Sequence, residues 1–492
     1  MPAYPEPFPV NLLPVTADLA AFAAFGFHGG ETKLLDPATW ASVAANAVAA
    51  AAGAATATSA AAALTAAVAA YKVDPVELAG VPPYLDCHFS DKAAIRPSWF
   101  TRASTAWEFD AKGILQPAAI NEPRIGFDPA TGRLRGYRSE PQRTNLNQRS
   151  RELGNAWYTA TGATVSSDAA GGPWGAATMD KIVESAANTS HYIVSSGMTV
   201  TAANADYTAS CFVKAAGRTR GTLRYTNSGW ASGVAVNFDL VAKTVTTSVI
   251  GNGAVTAADI IDSGGGLFLV WVSGKIDTTS GASTSGFLTL YNADAAGALS
   301  YLGDGVSGLH AEQLQLEDGV YPTSPIVTTN AQVTRSADSL SILLSDLPGY
   351  SAAEGSVYAA FTLNRPGNFS TTTPIEIGDG TFNNRIGLFI NNANANGGFM
   401  AAGGATQASL TQGGGAAGAR RKAAMAWAAN DIAFAAGGAA QTDNAATIPA
   451  PLDRIGIGRN NVSVSGMMPM FVDRLTLFNR RLPNATVEAL SA

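Results

Sequence analysis

Short runs of alternating apolar and polar residues, separated by turn residues, constrain the fold of this chain more than any other feature. Between residues 151 and 335 they include Tyr207–Lys214, Leu267–Val272 and Gly286–Tyr291. Apolar residues at every second position predict half-buried β-strands, and the clusters of Gly, Asn, Asp and Ser between them predict tight turns. The sequence therefore predicts a mainly β protein, with an all-β sandwich over residues 151–335.

A second series of strand-like runs follows from residue 336 to residue 492. It includes Ser356–Leu363, Arg385–Ile390 and Ala423–Trp427, and its tail joins a last strand to a short helix. These runs predict a second sandwich. Because each sandwich has its own strands and turns, we expect residues from 151 onward to fold without those before them, and we expect residues 333–338 to be a protease-sensitive junction.

Three segments with other compositions precede the sandwiches. Residues 1–35 are rich in proline and predict an extended arm that docks on another protein, or else a frayed terminus. Asp36-Pro37 is a helix start, and the Ala-rich residues 36–74 predict an oligomerisation helix, in a trimer or a pentamer, or else a lone linker helix. Residues 75–150, with turns at 110–113 and 128–132, predict a small β collar.

Composition argues against several classes of function. Of the 492 residues 14% are charged, and the formal net charge of −6 disfavours nucleic acid as the main ligand. The most apolar stretch, residues 41–71, is mostly Ala and too weak for a membrane span, and no basic region opens the chain as in a signal peptide. The two cysteines, Cys87 and Cys211, lie far apart without metal-ligand spacing. We therefore expect no metal, no cofactor and no membrane insertion.

Arginine is concentrated between residues 124 and 151, where the chain otherwise resembles a connector. The arginines are Arg124, Arg133, Arg135, Arg138, Arg143, Arg149 and Arg151. Charge runs of this kind form solvated or salt-bridged surfaces, or they pack against an acidic neighbouring subunit. Both interpretations remain open from the sequence.

Residues 100–146 carry an unusual succession of motifs. Phe-Thr-Arg-Ala-Ser opens it, Asn-x-Pro-Arg and Asp-Pro-x-Thr-Gly follow, and Gln-Arg-Thr-Asn-Leu closes it. This leader resembles one found in fibre and head-spike proteins of tailed phages, where it precedes a carbohydrate-binding-like sandwich. The resemblance implies a structural protein of a phage or of a phage-like particle such as a gene transfer agent, made in the host cytoplasm and carried on the virion.

Both predicted sandwiches also resemble known families. The first ends in Gln-Leu-Glu-x-Gly-x-x-Pro-Thr-Ser (315–324), and this segment resembles carbohydrate-binding jelly-roll modules. The tail of the second, from Phe471, resembles laminin-G and concanavalin-A-like lectins. These resemblances imply attachment to host cell-surface polysaccharide, with other virion proteins bound through the N-terminus. A decoration or baseplate component that binds virion proteins and no sugar is the alternative.

Aromatic side chains would form a sugar-binding surface, because the CH groups of a pyranose stack on an indole or phenol ring. Trp174 and Trp230 are flanked by glycine, and Asn227 and Tyr192 accompany them as candidate glycan-binding residues. Trp271 follows Phe268-Leu-Val and is expected in the core. For each aromatic residue, core packing or a contact between subunits is the alternative.

Catalytic patterns are missing from the sequence. None of the four histidines has metal-ligand spacing, and neither Gly-x-Ser-x-Gly nor His-Glu-x-x-His occurs. A glycosidase needs two carboxylates on either side of one bond. Glu312 and Glu317 lie five positions apart, so on a regular strand they point to opposite faces. We therefore expect no enzyme, and a polysaccharide depolymerase is the least favoured function.

Overall fold

Antiparallel β-sheets make up most of the structure, a computed structural model that describes residues 81–279, 281–363, 371–416, 418–462 and 468–492. The described residues belong to one compact unit, Ala79–Ala492. The predicted arm of residues 1–35 and the predicted helix of residues 36–74 lie outside them. The fold is mainly β, as the alternating runs predict.

In chain order the strands before the first sandwich are β1 (Leu85–His88), β2 (Phe100–Thr101), β3 (Ala106–Phe109), β4 (Leu115–Ala118), β5 (Ile125–Phe127), β6 (Leu134–Ser139) and β7 (Arg143–Asn145). Those of the first sandwich are β8 (Tyr158–Thr161), β9 (Ala163–Gly171), β10 (Ala177–Glu184), β11 (Asn188–Ser190), β12 (Tyr192–Ser195), β13 (Met198–Thr199), β14 (Tyr207–Ala216), β15 (Arg220–Asn227), β16 (Gly233–Asp239), β17 (Thr244–Ile250), β18 (Ala254–Asp262), β19 (Leu267–Lys275), β20 (Ser285–Ala293), β21 (Ser300–Leu302) and β22 (Gly308–Asp318). The remaining elements are β23 (Val333–Arg335), β24 (Ser339–Leu343), β25 (Gly355–Leu363), β26 (Thr372–Gly378), β27 (Arg385–Ile390), β28 (Ala395–Ala402), β29 (Ala405–Gly414), β30 (Arg420–Ala428), β31 (Asp431–Ala435), β32 (Gln441–Asp443), β33 (Arg454–Ile457), β34 (Met470–Phe478) and the helix α1 (Asn484–Ser491).

The first sandwich packs a six-stranded sheet against a seven-stranded one. The six-stranded sheet has the order β18-β19-β14-β22-β10-β9, and the seven-stranded sheet has the order β17-β16-β15-β20-β12-β8, with β13 beside β20. Val213 and Leu316 from one sheet meet Leu223, Val236 and Leu290 from the other in a single core. Alternation along each strand supplies this core, because every second side chain points inward.

The second sandwich is built in the same way from an eight-stranded and a seven-stranded sheet. Its orders are β32-β31-β30-β25-β34-β6-β5, with β1 beside β34, and β2-β24-β33-β26-β27-β28-β29. Trp427 and Val472 of the first of these sheets pack with Ile377 of the second in the core. The helix α1 closes the chain, with Val487 and Leu490 buried.

The predicted collar of residues 75–150 is wrong as a separate body where the structure describes it. Strand β1 pairs with β34, with Leu85 opposite Leu477, while β5 and β6 extend the same sheet and β2 pairs with β24. Strands of two to six residues bury too little apolar surface to be stable alone. They therefore complete the sheets of the second sandwich, and β1 and its partner β34 lie about 390 positions apart in the sequence.

Residues 333–338, predicted as a protease-sensitive junction, are instead held firmly. Strand β23 pairs with β7, and the side chains of Arg335 and Asp338 are almost fully buried. A protease needs an accessible, flexible backbone, which these contacts restrict. The passage from the first sandwich to the second is a packed joint.

The outward face of the six-stranded sheet is covered by other parts of the chain. Phe212 on β14 contacts Phe109 of the leader, with ring centroids 6.1 Å apart, and Trp271 on β19 contacts Tyr321 at 5.0 Å. Met468 of the second sandwich completes the cluster around Trp271. Trp271 is thus buried, as expected, but in packing on the outside of its own sandwich.

Candidate functional site

The seven-stranded sheet of the first sandwich turns one face away from the core. Leu223 and Leu290 are in the core, so their neighbours Thr222, Arg224 and Tyr291 point outward. We call the outward side chains, with one residue from the turn after β15, the aromatic face: Tyr192, Thr222, Arg224, Trp230, Asn237, Thr246, Ser248 and Tyr291. Five of them lie directly opposite one another in one row across five strands: Tyr192, Tyr291, Thr222, Asn237 and Thr246.

Three aromatic rings lie together on the aromatic face. The ring centroids of Tyr192 and Tyr291 are 4.7 Å apart at 40°, and those of Tyr192 and Trp230 are 5.6 Å apart at 79°. Tyr291 is buried beneath its neighbours, whereas Trp230 is 39% exposed. The sequence grouped Tyr192 with Trp230, and the structure brings them together.

The turn that presents Trp230 is strained. Asn227 closes it by accepting a hydrogen bond from the Ser232 amide at 3.0 Å, so its side-chain oxygen serves the turn. Gly229 has φ 78°, and Trp230 itself has φ 59°. A bulky residue in the left-handed region costs about 1–3 kcal/mol and is concentrated at functional sites. Asn227 therefore acts on the site by positioning Trp230.

Hydroxyl and amide groups continue the aromatic face toward the sheet edge. Thr222 donates to the side-chain oxygen of Asn237 at 2.7 Å, and the Asn237 amide nitrogen donates to Ser248 at 3.1 Å. Thr246 and Ser248 are exposed. A flat row of donors and acceptors beside aromatic rings suits a polyhydroxylated ligand, since rings stack on its CH groups while amides and hydroxyls bond to its oxygens.

The fourth candidate, Trp174, lies elsewhere. It follows β9, on the edge of the other sheet, where its ring contacts Trp107 at 5.7 Å and the Arg151 guanidinium at 4.0 Å. Gly175, at φ 76°, allows close contact with Ile114 of the leader. The glycines beside Trp174 therefore permit packing, and the structure does not bring Trp174 to the aromatic face.

The motifs that carry the leader resemblance meet in the joint between the sandwiches. Arg102 donates to Asp338 at 3.0 Å, and Arg124 contacts Asp338 and also Glu140 at 2.9 Å. Arg335 lies 3.4 Å from Glu140. We call Arg102, Arg124, Glu140, Arg335 and Asp338 the buried ion cluster; each is at most 2% exposed.

Hydrogen bonds from the closing motif of the first sandwich complete this cluster. Ser324 donates to Glu140 at 2.7 Å, and Arg124 donates to Ser324 at 2.7 Å. Burial alone raises the pKa of Glu140, but the positive charges of Arg335, Arg124 and Arg138 outweigh it and hold the pKa well below its usual value. The arginine run thus forms ion pairs within the chain, which supports the salt-bridged interpretation.

The sequence argument about Glu312 and Glu317 is wrong. Strand β22 has a bulge where Gln313 adopts φ 56°, so Glu312 faces Phe212 and Glu317 faces Thr208 on the regular strand β14. Four residues separate Phe212 from Thr208. Both glutamates therefore point to the same face, with Cα atoms about 13 Å apart.

Both carboxylates are nevertheless buried and engaged. Glu312 accepts from Arg151 at 2.6 Å and from Thr178 at 3.0 Å, while Glu317 accepts two hydrogen bonds from Thr323 at 2.6 and 2.8 Å. Burial raises the pKa of each. Their arrangement serves the packing of the covered face.

Metal-binding clusters and membrane-spanning helices are both absent from the part of the chain that the structure describes. Among them, no group of three or more His, Cys, Asp or Glu side chains is arranged to hold a metal ion. No helix in the same part of the chain is both long and apolar enough to cross a membrane.

Comparison with known proteins gives likeness in structure alone. No protein-family model and no curated protein matches the sequence. The NanB sialidase of Streptococcus pneumoniae matches with 15% identity and a TM-score of 0.27 over 31% of this chain and 26% of that one. The CBM40 module of the Ruminococcus gnavus IT-sialidase, bound to α2,3 sialyllactose, matches with 14% identity and a TM-score of 0.25 over 28% and 83%. Domains LG4-5 of mouse laminin α1 match with 13% identity and a TM-score of 0.21 over 60% and 90%.

Sialidase carbohydrate-binding modules and laminin G domains are thus among the structural neighbours of these β-sandwiches. The chain spans about a quarter of the NanB sialidase. At these identities and TM-scores the likenesses carry no functional argument.

Six residues of the aromatic face are not among the candidates that the sequence gives: Thr222, Arg224, Asn237, Thr246, Ser248 and Tyr291. Tyr291 appears in the sequence only as the last residue of the predicted strand Gly286–Tyr291. The alternation along β15 could have indicated Arg224, because it places this side chain on the other face of the strand from the apolar Leu223 and Tyr225. Nothing in the local sequence predicts which residue lies opposite Tyr291 on the neighbouring strand.

Proposed function

We propose that this chain is a non-enzymatic glycan-binding protein that attaches a phage-like particle to host-surface polysaccharide through the aromatic face. The observation that carries the binding role is the exposed Trp230, held at φ 59° against Tyr192. A strained, exposed indole is costly to maintain for folding alone, and a ligand that stacks on the ring accounts for it.

The contrast between the two outward faces of the first sandwich supports the same choice. The six-stranded sheet has its outer aromatic residues, Phe212 and Trp271, covered by the leader and the second sandwich. The aromatic face keeps Trp230, Thr246 and Ser248 exposed. A ligand of the first sandwich is therefore proposed on the seven-stranded sheet.

The role in a particle is supported by the leader motifs, which resemble those of phage fibre and head-spike proteins. Attachment through the arm of residues 1–35 and trimerisation through residues 36–74 stay predictions, since both segments lie outside the described residues. Repetition of one weak site in an oligomer would give firm attachment, because the second and third contacts form at high effective concentration.

Retention of the full-length chain on immobilised bacterial surface polysaccharides tests the proposal. Trp230→Gly removes the ring while relieving the left-handed strain, and we expect it to weaken binding about tenfold to hundredfold. Phe382→Ala is the matched control, since Phe382 is an exposed aromatic residue of the second sandwich, 54% exposed against 39% for Trp230.

Each outcome of this experiment discriminates between functions. Retention of the wild type and of the control, with loss in Trp230→Gly, supports the glycan-binding role. Released reducing ends in the same incubation would identify a depolymerase. Equal retention of all three proteins would mean that the sugar binds elsewhere on the chain, and no retention on any polysaccharide would leave the decoration or baseplate role.

A further inference from the structure

Arg224 lies at the centre of the aromatic face, on β15 between β16 and β20. Its guanidinium carbon is 4.5 Å from the centroid of the Tyr291 ring, and its Nη1 lies 3.5 Å from the Tyr291 hydroxyl. Tyr291 in turn stacks with Tyr192. The stack fixes the plane of the guanidinium group on the aromatic face.

No carboxylate of the described residues pairs with Arg224. Its cross-strand neighbours are Thr289 on β20 and Ala235 on β16, which are both neutral. Within the described residues Arg224 forms no ion pair, and its Nε, although buried, donates no hydrogen bond. The guanidinium group is half-buried, and the Tyr291 hydroxyl at 3.5 Å is its one acceptor among the described residues, so the hydration that it loses on folding is only partly replaced.

Nearby arginines show the usual arrangement. Arg220, four residues earlier on the same strand, pairs with Asp239 at 2.7 Å, and Arg218 pairs with Glu184 at 2.5 Å. Of these three arginines, Arg224 is the one without a carboxylate partner among the described residues. A ligand that carries a negatively charged acceptor can therefore pair with the Arg224 guanidinium group.

Resting on the proposed glycan-binding role, we infer that the aromatic face takes a carboxylate-bearing saccharide, whose carboxylate is bound by Arg224. The planar fork of arginine donates two parallel hydrogen bonds to a carboxylate, and the single charge on Arg224 matches the single charge of a uronic acid residue. Tyr192 and Trp230 then contact the sugar ring, and the row from Thr222 to Ser248 binds its hydroxyl groups.

Binding of the full-length chain to polygalacturonate, alginate and hyaluronate, each beside its carboxyl-reduced counterpart, tests this inference. We expect at least one native polymer to bind about tenfold more tightly than its reduced form. Arg224→Gln should abolish that difference by lowering the binding of the native polymer to that of its reduced form. Arg220→Gln, which removes a charge already paired with Asp239, is the matched control and should retain the difference.

The failures of the inference and of the underlying function are distinguishable. Equal binding of native and reduced polymers, or an unchanged preference in Arg224→Gln, overturns the carboxylate assignment while Trp230-dependent binding still supports the glycan role. Binding to dextran sulfate without binding to any of the three carboxylated polymers also overturns it. If the three carboxylated polymers fail while neutral polysaccharides bind in a Trp230-dependent way, the ligand is neutral and Arg224 is structural.

Discussion

Substitution of Asp338 most directly tests how the two sandwiches are joined. Its side chain is fully buried in the buried ion cluster, where Oδ1 accepts from Arg102 at 3.0 Å. Oδ2 contacts Arg124 and accepts from the backbone amide of Glu140 at 3.0 Å. Removing this carboxylate leaves two buried guanidinium groups without their main counter-charge.

Loss of one partner from a buried ion pair costs about 3–5 kcal/mol, because the remaining charge stays desolvated. Asp338→Asn keeps the shape and one acceptor oxygen, so we expect a fall of about 3 kcal/mol in the free energy of unfolding. Asp338→Ala should reach about 5 kcal/mol. The control is Asp453→Asn: Asp453 pairs with Arg454 at 2.7 Å but is 48% exposed, and exposed pairs contribute less than about 1 kcal/mol.

Equilibrium unfolding of the full-length chain in urea, which does not screen ion pairs, measures these changes through tryptophan fluorescence. Trp99 and Trp427 are buried in the second sandwich and report on it. A double-mutant cycle with Arg102→Ala should give a coupling energy of about 1–3 kcal/mol. The reasoning is refuted if Asp338→Asn is no more destabilising than Asp453→Asn.

Three further outcomes are expected. A chain beginning at residue 151 lacks β1, β5 and β6, so we expect its second sandwich not to fold cooperatively. Urea unfolding of this chain, compared with that of the full-length chain, measures the effect. A cooperative transition of full amplitude would contradict the expectation. Because the pKa of Glu140 is held below its usual value near 4.5, Glu140 stabilises the fold above that pH and loses its contribution as the pH falls, so Glu140→Gln should flatten the acid side of the stability profile. Trp230→Gly should change the free energy of unfolding by less than about 1 kcal/mol, since relief of the left-handed backbone offsets the lost packing on Tyr192; a larger loss would mean that the ring is part of the fold.

Local patterns in the sequence were sufficient for the strands of both sandwiches. Runs such as Tyr207–Lys214 and Arg385–Ile390 coincide with β14 and β27, because a half-buried strand must alternate whatever its partner is. The same patterns say nothing about which strands pair. Residues 75–150 were therefore predicted to form a separate collar, although β1 pairs with a strand about 390 positions away.

Single-residue irregularities were the second source of error. Gln313 adopts φ 56° without being glycine or asparagine, and the bulge there reverses the face of every residue beyond it on β22. Parity arguments on an isolated strand fail at such a point. Glycine beside an aromatic residue was equally ambiguous, since it marks packing at Trp174 and a turn at Trp230.

The division between joint and aromatic face explains why the most distinctive motifs of the sequence lie far from the proposed ligand. Arg102, Arg124 and Ser324 are distinctive because a buried network of charges requires each partner in place, and any one loss leaves another group unpaired. A stacking surface makes weaker demands, since several aromatic and hydroxyl side chains can serve it. Substitutions in the leader should therefore lower the stability of the fold and have little effect on ligand binding. Substitutions in the turn around Trp230 should weaken ligand binding and have little effect on stability.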